Sequence, residues 1–337
     1  MPEHHLSVLL VLIVLFAIGF DFVNGFHDTA NAVATVIATR VLPPQVAILM
    51  SGVLNLCGAL YSVGVASTIS SGIVDQHMAT QTMVLAAIVG AIAWNLITWF
   101  YGIPSSSSHA LIGGLCGAAI AFGGMRVVLW NGVWAKVVIP LVASPIAGFI
   151  IGLVLMSIIT MLFAKANTNN ASPWFKRLQL VSSAFMSFAH GQNDGQKSMG
   201  IITIALIASH WLPAKSAPPH WVILACAIAM GLGTASGGYR IIKTMGHKIL
   251  RLEPVQGFAA ETTAATVILT ATSLKAPVST THVIAGSVFG VGAAKRLSAV
   301  RWQVAINMVT AWIITMPAAG IVAALTYLIL RMAGVRG

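Results

Sequence analysis

Long apolar stretches separated by short polar ones run the length of the chain. They fall at 6–38, 45–66, 82–101, 104–123 and 138–163, then at 179–209, 219–239, 257–275, 278–293 and 301–330. A membrane-crossing helix needs ~20 mostly apolar residues, each rising ~1.5 Å. The pattern therefore predicts an all-α integral membrane protein with roughly ten membrane segments. Segments 6–38 and 179–209 exceed one crossing and hold polar residues in their middles. Segments 104–123 and 278–293 are short and begin at Pro104-Ser105-Ser106 and Pro277-Val278-Ser279-Thr280. Broken helices and re-entrant hairpins have this look in transporters, where irregular backbone lines a cavity. The first run, from Leu6, continues past Asp21 without a small-residue cleavage site, so it reads as a membrane helix and not a signal peptide.

Composition narrows the class. Of 337 residues, 58% are hydrophobic and 7% charged, with a mean hydropathy of +0.91. An ordinary globular chain carries about 25% charged residues, so this one cannot cover a soluble surface, which excludes a soluble enzyme or a nucleic-acid-binding domain. The net charge of +11 then belongs to loops near anionic lipid. With the N-terminus outside, eleven basic residues fall on the inner side, among them Arg40, Lys176, Arg240 and Lys248. Six fall outside: Arg126, Lys136, Lys215, Lys275, Arg331 and Arg336. The excess of inner positives favours both termini outside, although Arg126 and Lys136 run against it. Cys57, Cys116 and Cys226 sit in apolar stretches without paired spacing and read as packing residues.

The two halves resemble each other where they are most polar. Asn24-Gly25-Phe26-His27-Asp28-Thr29-Ala30-Asn31 precedes His190-Gly191-Gln192-Asn193-Asp194-Gly195-Gln196-Lys197 by 166 residues, aligning Gly25 with Gly191 and Asp28 with Asp194. Pro104–His109 precedes Pro277–His282 by 173 residues, and the same offset pairs Gly113 with Gly286 and Gly117 with Gly290. Those glycines read as close helix packing. Five segments per half is an odd number, so the second copy is inverted. The expectation is two inverted-topology repeats, 1–166 and 172–337, forming one transport domain with no soluble domain.

Of seven acids, Glu3, Asp75 and Glu253 lie outside the apolar segments, whereas Asp21, Asp28, Asp194 and Glu261 lie within them. Each buried acid costs about 2.5–3.5 kcal/mol at a helix centre. The duplicated placement of Asp28 and Asp194 favours a shared cation or proton site. A local Asp194–Lys197 ion pair is the structural alternative. Asp21, nearer the outer end, reads as a helix-end group or as one that supports the site residues from behind. The hydroxyl runs Ser105–Ser108 and Ser279–Thr281, each after a proline, place donors at helix starts, where the dipole also favours an anion. A Ser108–His109 nucleophile is disfavoured because there is no nucleophile elbow and the motif is duplicated.

Together the Asn-Gly-Phe-His-Asp-Thr-Ala-Asn motif, its partner Gly-Gln-Asn-Asp-Gly-Gln-Lys and the two Pro-x-Ser-Ser/Thr-Ser/Thr-His loops resemble the inorganic phosphate transporter (PiT) family over nearly the whole chain. The resemblance implies a symporter for inorganic phosphate, usually a homodimer, in a bacterial inner (plasma) membrane. It assigns Asp28, Asn31, Asn193 and Asp194 to coupling cations, with Glu261 beside them as a retained acid. It assigns Ser105, Ser106, Ser107, Ser279, Thr280 and Thr281 to phosphate. His27 and Asn55, and the short loop at 164–178, look like the bacterial branch, which is associated with protons and neutral metal–phosphate complexes where other branches use sodium. No cofactor or resident metal is expected beyond the transported cation.

Phosphate would be repelled by two bare aspartates, by several kcal/mol at contact even at an effective dielectric of ~20. Cations or protons must arrive with it, which makes symport the expected mechanism, with alternating access by rocking of repeat elements. His27, His109, His190 and His282 could relay protons near neutrality, although each singly is commonly a packing residue. Two rivals remain: a permease for sulfate or another oxyanion, and an integral-membrane phosphoryl or acyl transferase, which would need clustered metal-binding acids or a base-paired nucleophile.

Overall fold

The computed structural model describes residues 7–165, 168–249 and 251–335, and for 168–171, 247 and 248 the backbone only. Glu3, Leu6, Arg336 and the repeat boundary at 166 lie outside the described residues, as does the side chain of Lys248. The described residues form helices and no strand beyond a single Val74–Val128 bridge.

Capping residues set several of the helix starts. The Ser7 hydroxyl accepts the Leu10 N–H and opens α1 (Val8–Ala38), where a short polar side chain satisfies one of the orphan donors. A proline at the first turn starts α2 (Pro44–Tyr61), followed by the short α3 (Gly64–Gly72). Thr80 caps α4 (Gln81–Tyr101), which Gly102 ends with φ +65°, a conformation that suits glycine. After an extended Ile103–Ser106 stretch, Ser106 caps α5 (Ser107–Gly123). A short α6 (Trp130–Val133) passes through a π-helical turn into α7 (Ile139–Leu162), giving one 33-residue run.

The remaining helices follow in the second half of the chain. A single residue, Gly195, divides α8 (Thr168–Asp194) from α9 (Gln196–Ala208). Gly237-Gly238 separates α10 (His220–Ser236) from α11 (Tyr239–Lys243), and the chain bends there by 57°. A Glu253/Gln256 capping box opens α12 (Pro254–Ser273), Ser279 caps α13 (Thr280–Lys295), and α14 (Trp302–Met332) ends the chain's helical part.

Each of the ten apolar segments contains a helix, yet fewer of them are long, apolar crossings than the pattern predicts. Among the described residues five helices are long and apolar enough to span a membrane, or six if the bent α10–α11 pair is one span. The others fail for physical reasons. Helix α5 has 17 residues and α13 has 16, α8 starts in a polar stretch, and α12 carries Glu261 among threonines. The outward faces of α1, α2, α7 and α14 expose Leu15, Val53, Ile146 and Ile313, a surface that suits lipid and not water. Cys226 is buried, but Cys57 lies on the exposed face of α2 and so does not pack, contrary to expectation.

Two apolar cores fill the interior. One includes Leu10, Ile13, Ala17 and Phe20 of α1, and the other includes Ala30, Val33 and Val36 of the same helix. Between them α1 presents Asp21, Asn24, His27 and Asp28, all buried. The tightest seams are α5 on α14 and α13 on α7. A Cβ at Gly113 or Gly117 would strike the carbonyl oxygen of Met316 or Gly320, and one at Gly286 or Gly290 that of Pro145 or Phe149. Small residues permit this approach, as read from the sequence.

Candidate functional site

Buried carboxylates from the two motifs meet in the polar gap. Ligand atoms of Asp28 on α1 and of His190 and Asp194 on α8 all lie within 4.8 Å of one another. Asp28 is 3% exposed and Asp194 fully buried. The His27 Nδ1 is 2.5 Å from Asp28 Oδ1, and its Nε2 is 3.0 Å from Thr98 Oγ1 and 3.4 Å from Ser105 Oγ. Ser105 in turn donates to Thr98 at 2.9 Å. The first half of the site is therefore a chain from the hydroxyl loop through an imidazole to the carboxylate.

His190 is oriented from behind. The Asn55 amide nitrogen donates to Ser51 through its carbonyl at 2.8 Å and its hydroxyl at 3.0 Å, which leaves Asn55 Oδ1 as the acceptor facing His190 Nδ1 at 2.6 Å. The His190 proton is thereby assigned to Nδ1. In the neutral ring Nε2 then carries a lone pair, 3.5 Å from Asp194 Oδ2. A lone pair and two carboxylates converge on one point, a set of acceptors that suits a proton or a cation.

The hydroxyl loops converge from the other side. Ser106 and Ser279 spend an acceptor lone pair on the His109 and His282 N–H groups, capping α5 and α13. The Thr280 hydroxyl donates to Asp194 Oδ2 at 3.2 Å, and Asn31 Nδ2 donates to Thr280 at 3.3 Å and to Thr281 at 2.8 Å. Ser108 donates to the Val278 carbonyl at 3.2 Å, and the His109 and His282 rings meet edge-on at 4.5 Å, with His282 stacked on Trp312 at 3.8 Å. Both helix starts thus point at one place. Ser107 Oγ, both His109 ring nitrogens and His282 Nε2 are buried there without a partner among the described residues.

Four sequence expectations need separate treatment. The sequence favours a shared cation site over an Asp194–Lys197 pair, but the structure forms that pair, with Lys197 1% exposed. It also gathers the two carboxylates, so the readings are not exclusive. Asn193 does not join the carboxylates; its amide donates to Thr272 at 2.8 Å. Glu261 has a pocket of its own, accepting from Thr35 at 2.5 Å, Ser182 at 2.5 Å and Gln179 at 3.1 Å. Of the two readings of Asp21 the structure favours the second: it lies inside α1, fully buried, and accepts the hydroxyl of Ser198, the residue after Lys197, at 2.6 Å. The sequence reading passes over Ser51, Thr98, Thr272, Gln179 and Ser182, which are ordinary polar residues in helices until the fold brings their partners to them.

An acceptor pocket beside two hydroxyl-capped helix starts, enclosed in a bundle with apolar outer faces, suits a multi-pass membrane transport protein. A family model described as "Phosphate transporter family" matches residues 24–173 and 161–323. The chain belongs to that family. A Bacillus subtilis protein named "Probable low-affinity inorganic phosphate transporter" is 48% identical over 329 residues, covering 97% of this chain and 98% of its own. A Rhizobium meliloti protein of the same name is 47% identical over 320 residues, covering 95% and 96%. The solved structure titled "The sodium-dependent phosphate transporter" aligns with a TM-score of 0.88 at 25% identity, covering 97% of this chain and 100% of that one. The relatives are named for transport, which leaves no place for the phosphoryl or acyl transferase reading.

Proposed function

We propose that the chain is a cation-coupled symporter of inorganic phosphate, with sodium or a proton as the coupling ion. The observation that carries the proposal is the acceptor pocket of Asp28, Asp194 and His190 Nε2, next to the starts of α5 and α13. An anion held by Ser105, Ser106, Ser107, Ser279, Thr280, Thr281 and the helix N-termini would be repelled by the bare carboxylates. Two unit charges ~4 Å apart interact by about 4 kcal/mol at an effective dielectric of ~20. A cation in the pocket cancels that repulsion, so the anion binds where the cation has bound. Asn31 links the two ligand sets through its bonds to Thr280 and Thr281. Asn193 and Glu261 support the cation side from outside the pocket. His27, His109, His190 and His282 are the groups available for proton transfer.

The order and packing of elements support two inverted-topology repeats. Helix α1 corresponds to α8–α9, α2–α3 to α10–α11, α4 to α12, α5 to α13, and α6–α7 to α14. The packing is reciprocal: α1 lies on α10 and α8 on α2, α5 on α14 and α13 on α7. His27 meets Thr98 in the first half as Asn193 meets Thr272 in the second. We read the protein as a homodimer in a bacterial inner membrane with both termini outside, on the family resemblance and the distribution of basic loops.

The test is uptake of labelled phosphate by the purified protein in proteoliposomes under separately imposed sodium and proton gradients. One gradient should drive accumulation and the other should not. Uptake indifferent to both overturns the symport reading. Competition by sulfate decides between phosphate and a broader oxyanion specificity, and adding divalent cations distinguishes the free anion from a neutral metal complex.

A further inference from the structure

We infer that the ammonium group of Lys197 is a resident cation, occupying beside Asp194 a position that a transported cation would otherwise fill, so that the transporter moves one cation fewer per phosphate. The inference presupposes the symport reading and concerns its stoichiometry.

The repeat alignment is the starting point. The offset that pairs Asp28 with Asp194 also pairs Asn31 with Lys197. In the first half the position carries a neutral amide bonded to Thr280 and Thr281. In the second half it carries a full positive charge bonded to Asp194 Oδ1. The aligned asparagine lies in the continuous helix α1, whereas the lysine lies just past the break at Gly195, in the first turn of α9.

The surroundings leave the ammonium a single role. Lys197 is 1% exposed, and among the described residues Asp194 is the one carboxylate within ion-pair distance. A buried lysine persists in a membrane protein only when paired. Its position is also shared with the substrate side. Asp194 Oδ1 takes the ammonium while Oδ2 accepts the Thr280 hydroxyl at the start of α13. The lysine therefore lies one carboxylate away from the proposed phosphate donors.

Charge counting gives the consequence. Asp28 and Asp194 together carry two negative charges, Lys197 cancels one, and the Asp28–His190–Asp194 pocket has one opening charge left to neutralise. One transported cation then makes the core neutral before the anion enters. Without the lysine, two would be needed.

The test uses the full-length protein in proteoliposomes, with the wild type, Lys197→Gln and Lys197→Arg compared in parallel. Phosphate uptake is measured against the concentration of the coupling cation, together with the charge moved per phosphate. Lys197→Gln should require about one more cation per phosphate and roughly tenfold more cation for half-maximal uptake, with the rate recovered at high cation concentration. Lys197→Arg, which keeps the charge, should retain the wild-type cation number. An unchanged cation number in Lys197→Gln overturns the inference. So does a monodisperse Lys197→Gln protein that no cation concentration revives. Should Lys197→Gln fail to fold, a changed cation number in Lys197→Arg has the same force. Wild-type uptake that ignores both gradients removes the symport reading and this inference with it, and that result is visible before either variant is measured.

Discussion

Asn31 and Thr281 join opposite ends of the chain: the Asn31 amide on α1 donates to the Thr281 hydroxyl on α13 at 2.8 Å, across 250 positions of sequence. The same amide reaches Thr280, which donates to Asp194. One side chain therefore ties the first motif to the second hydroxyl loop and, through it, to the second motif.

Replacing Asn31 by Ala should weaken phosphate recognition more than it weakens the protein. Two neutral hydrogen bonds are worth about 0.5–1.5 kcal/mol each, so the concentration for half-maximal uptake should rise by roughly tenfold. Uptake kinetics paired with thermal unfolding in detergent check this. A large fall in melting temperature with unchanged half-saturation would refute it.

Asp28→Asn and Asp194→Asn should both abolish coupled uptake but differ in stability. Asp28→Asn leaves no buried lysine without a partner. Asp194→Asn strands the Lys197 ammonium inside the protein, and breaking a buried pair from one side costs about 3–5 kcal/mol. Melting temperature should therefore fall clearly for Asp194→Asn and little for Asp28→Asn. Equal losses would mean that Lys197 finds another partner.

Asn55→Leu removes the acceptor that fixes the His190 proton on Nδ1. The ring is then able to take its proton on Nε2, which closes the lone pair facing the carboxylates. More coupling cation should be needed for half-maximal uptake, while the maximal rate at saturating cation stays close to wild type. A lower maximal rate with an unchanged cation requirement would count against this role for Asn55.

Gly117→Ala and Gly290→Ala should be destabilising by similar amounts. Each added methyl meets a backbone carbonyl, that of Gly320 or of Phe149, which a side-chain rotation cannot relieve. Overpacking of this kind costs about 1–3 kcal/mol. Unfolding temperature measures it, and a neutral result at either position would mean that the seam can open.

The site was legible in the sequence as far as it was duplicated. Asp28 and Asp194 stood out because an acid inside an apolar segment is costly, and their recurrence 166 residues apart made them a pair. The hydroxyl loops stood out by the same recurrence after proline. Asn55 was marked only by the family resemblance, and its place behind His190 was not legible, because that partner lies 135 positions away and a single Asn in a membrane helix gives no hint of what it faces. Glu261 was visible as an intramembrane acid, but its donors come from α1 and α8, so its separation from the central pair required the fold. Segments 104–123 and 278–293 were legible as short pieces, and α5 and α13 have 17 and 16 residues. Apolar runs record burial as much as span length, which is why their number exceeds that of the long apolar helices.

The glycine seams have a mechanical consequence. Each short, capped arm is fastened to a long helix from the other half of the chain: α5 to α14, and α13 to α7. Any movement that parts the two arms at the Ser108–Val278 bond and the His109–His282 contact must carry α14 with the first arm and α7 with the second. The rigid bodies of this molecule are therefore woven from both halves, and cutting the gene at its midpoint would divide each of them.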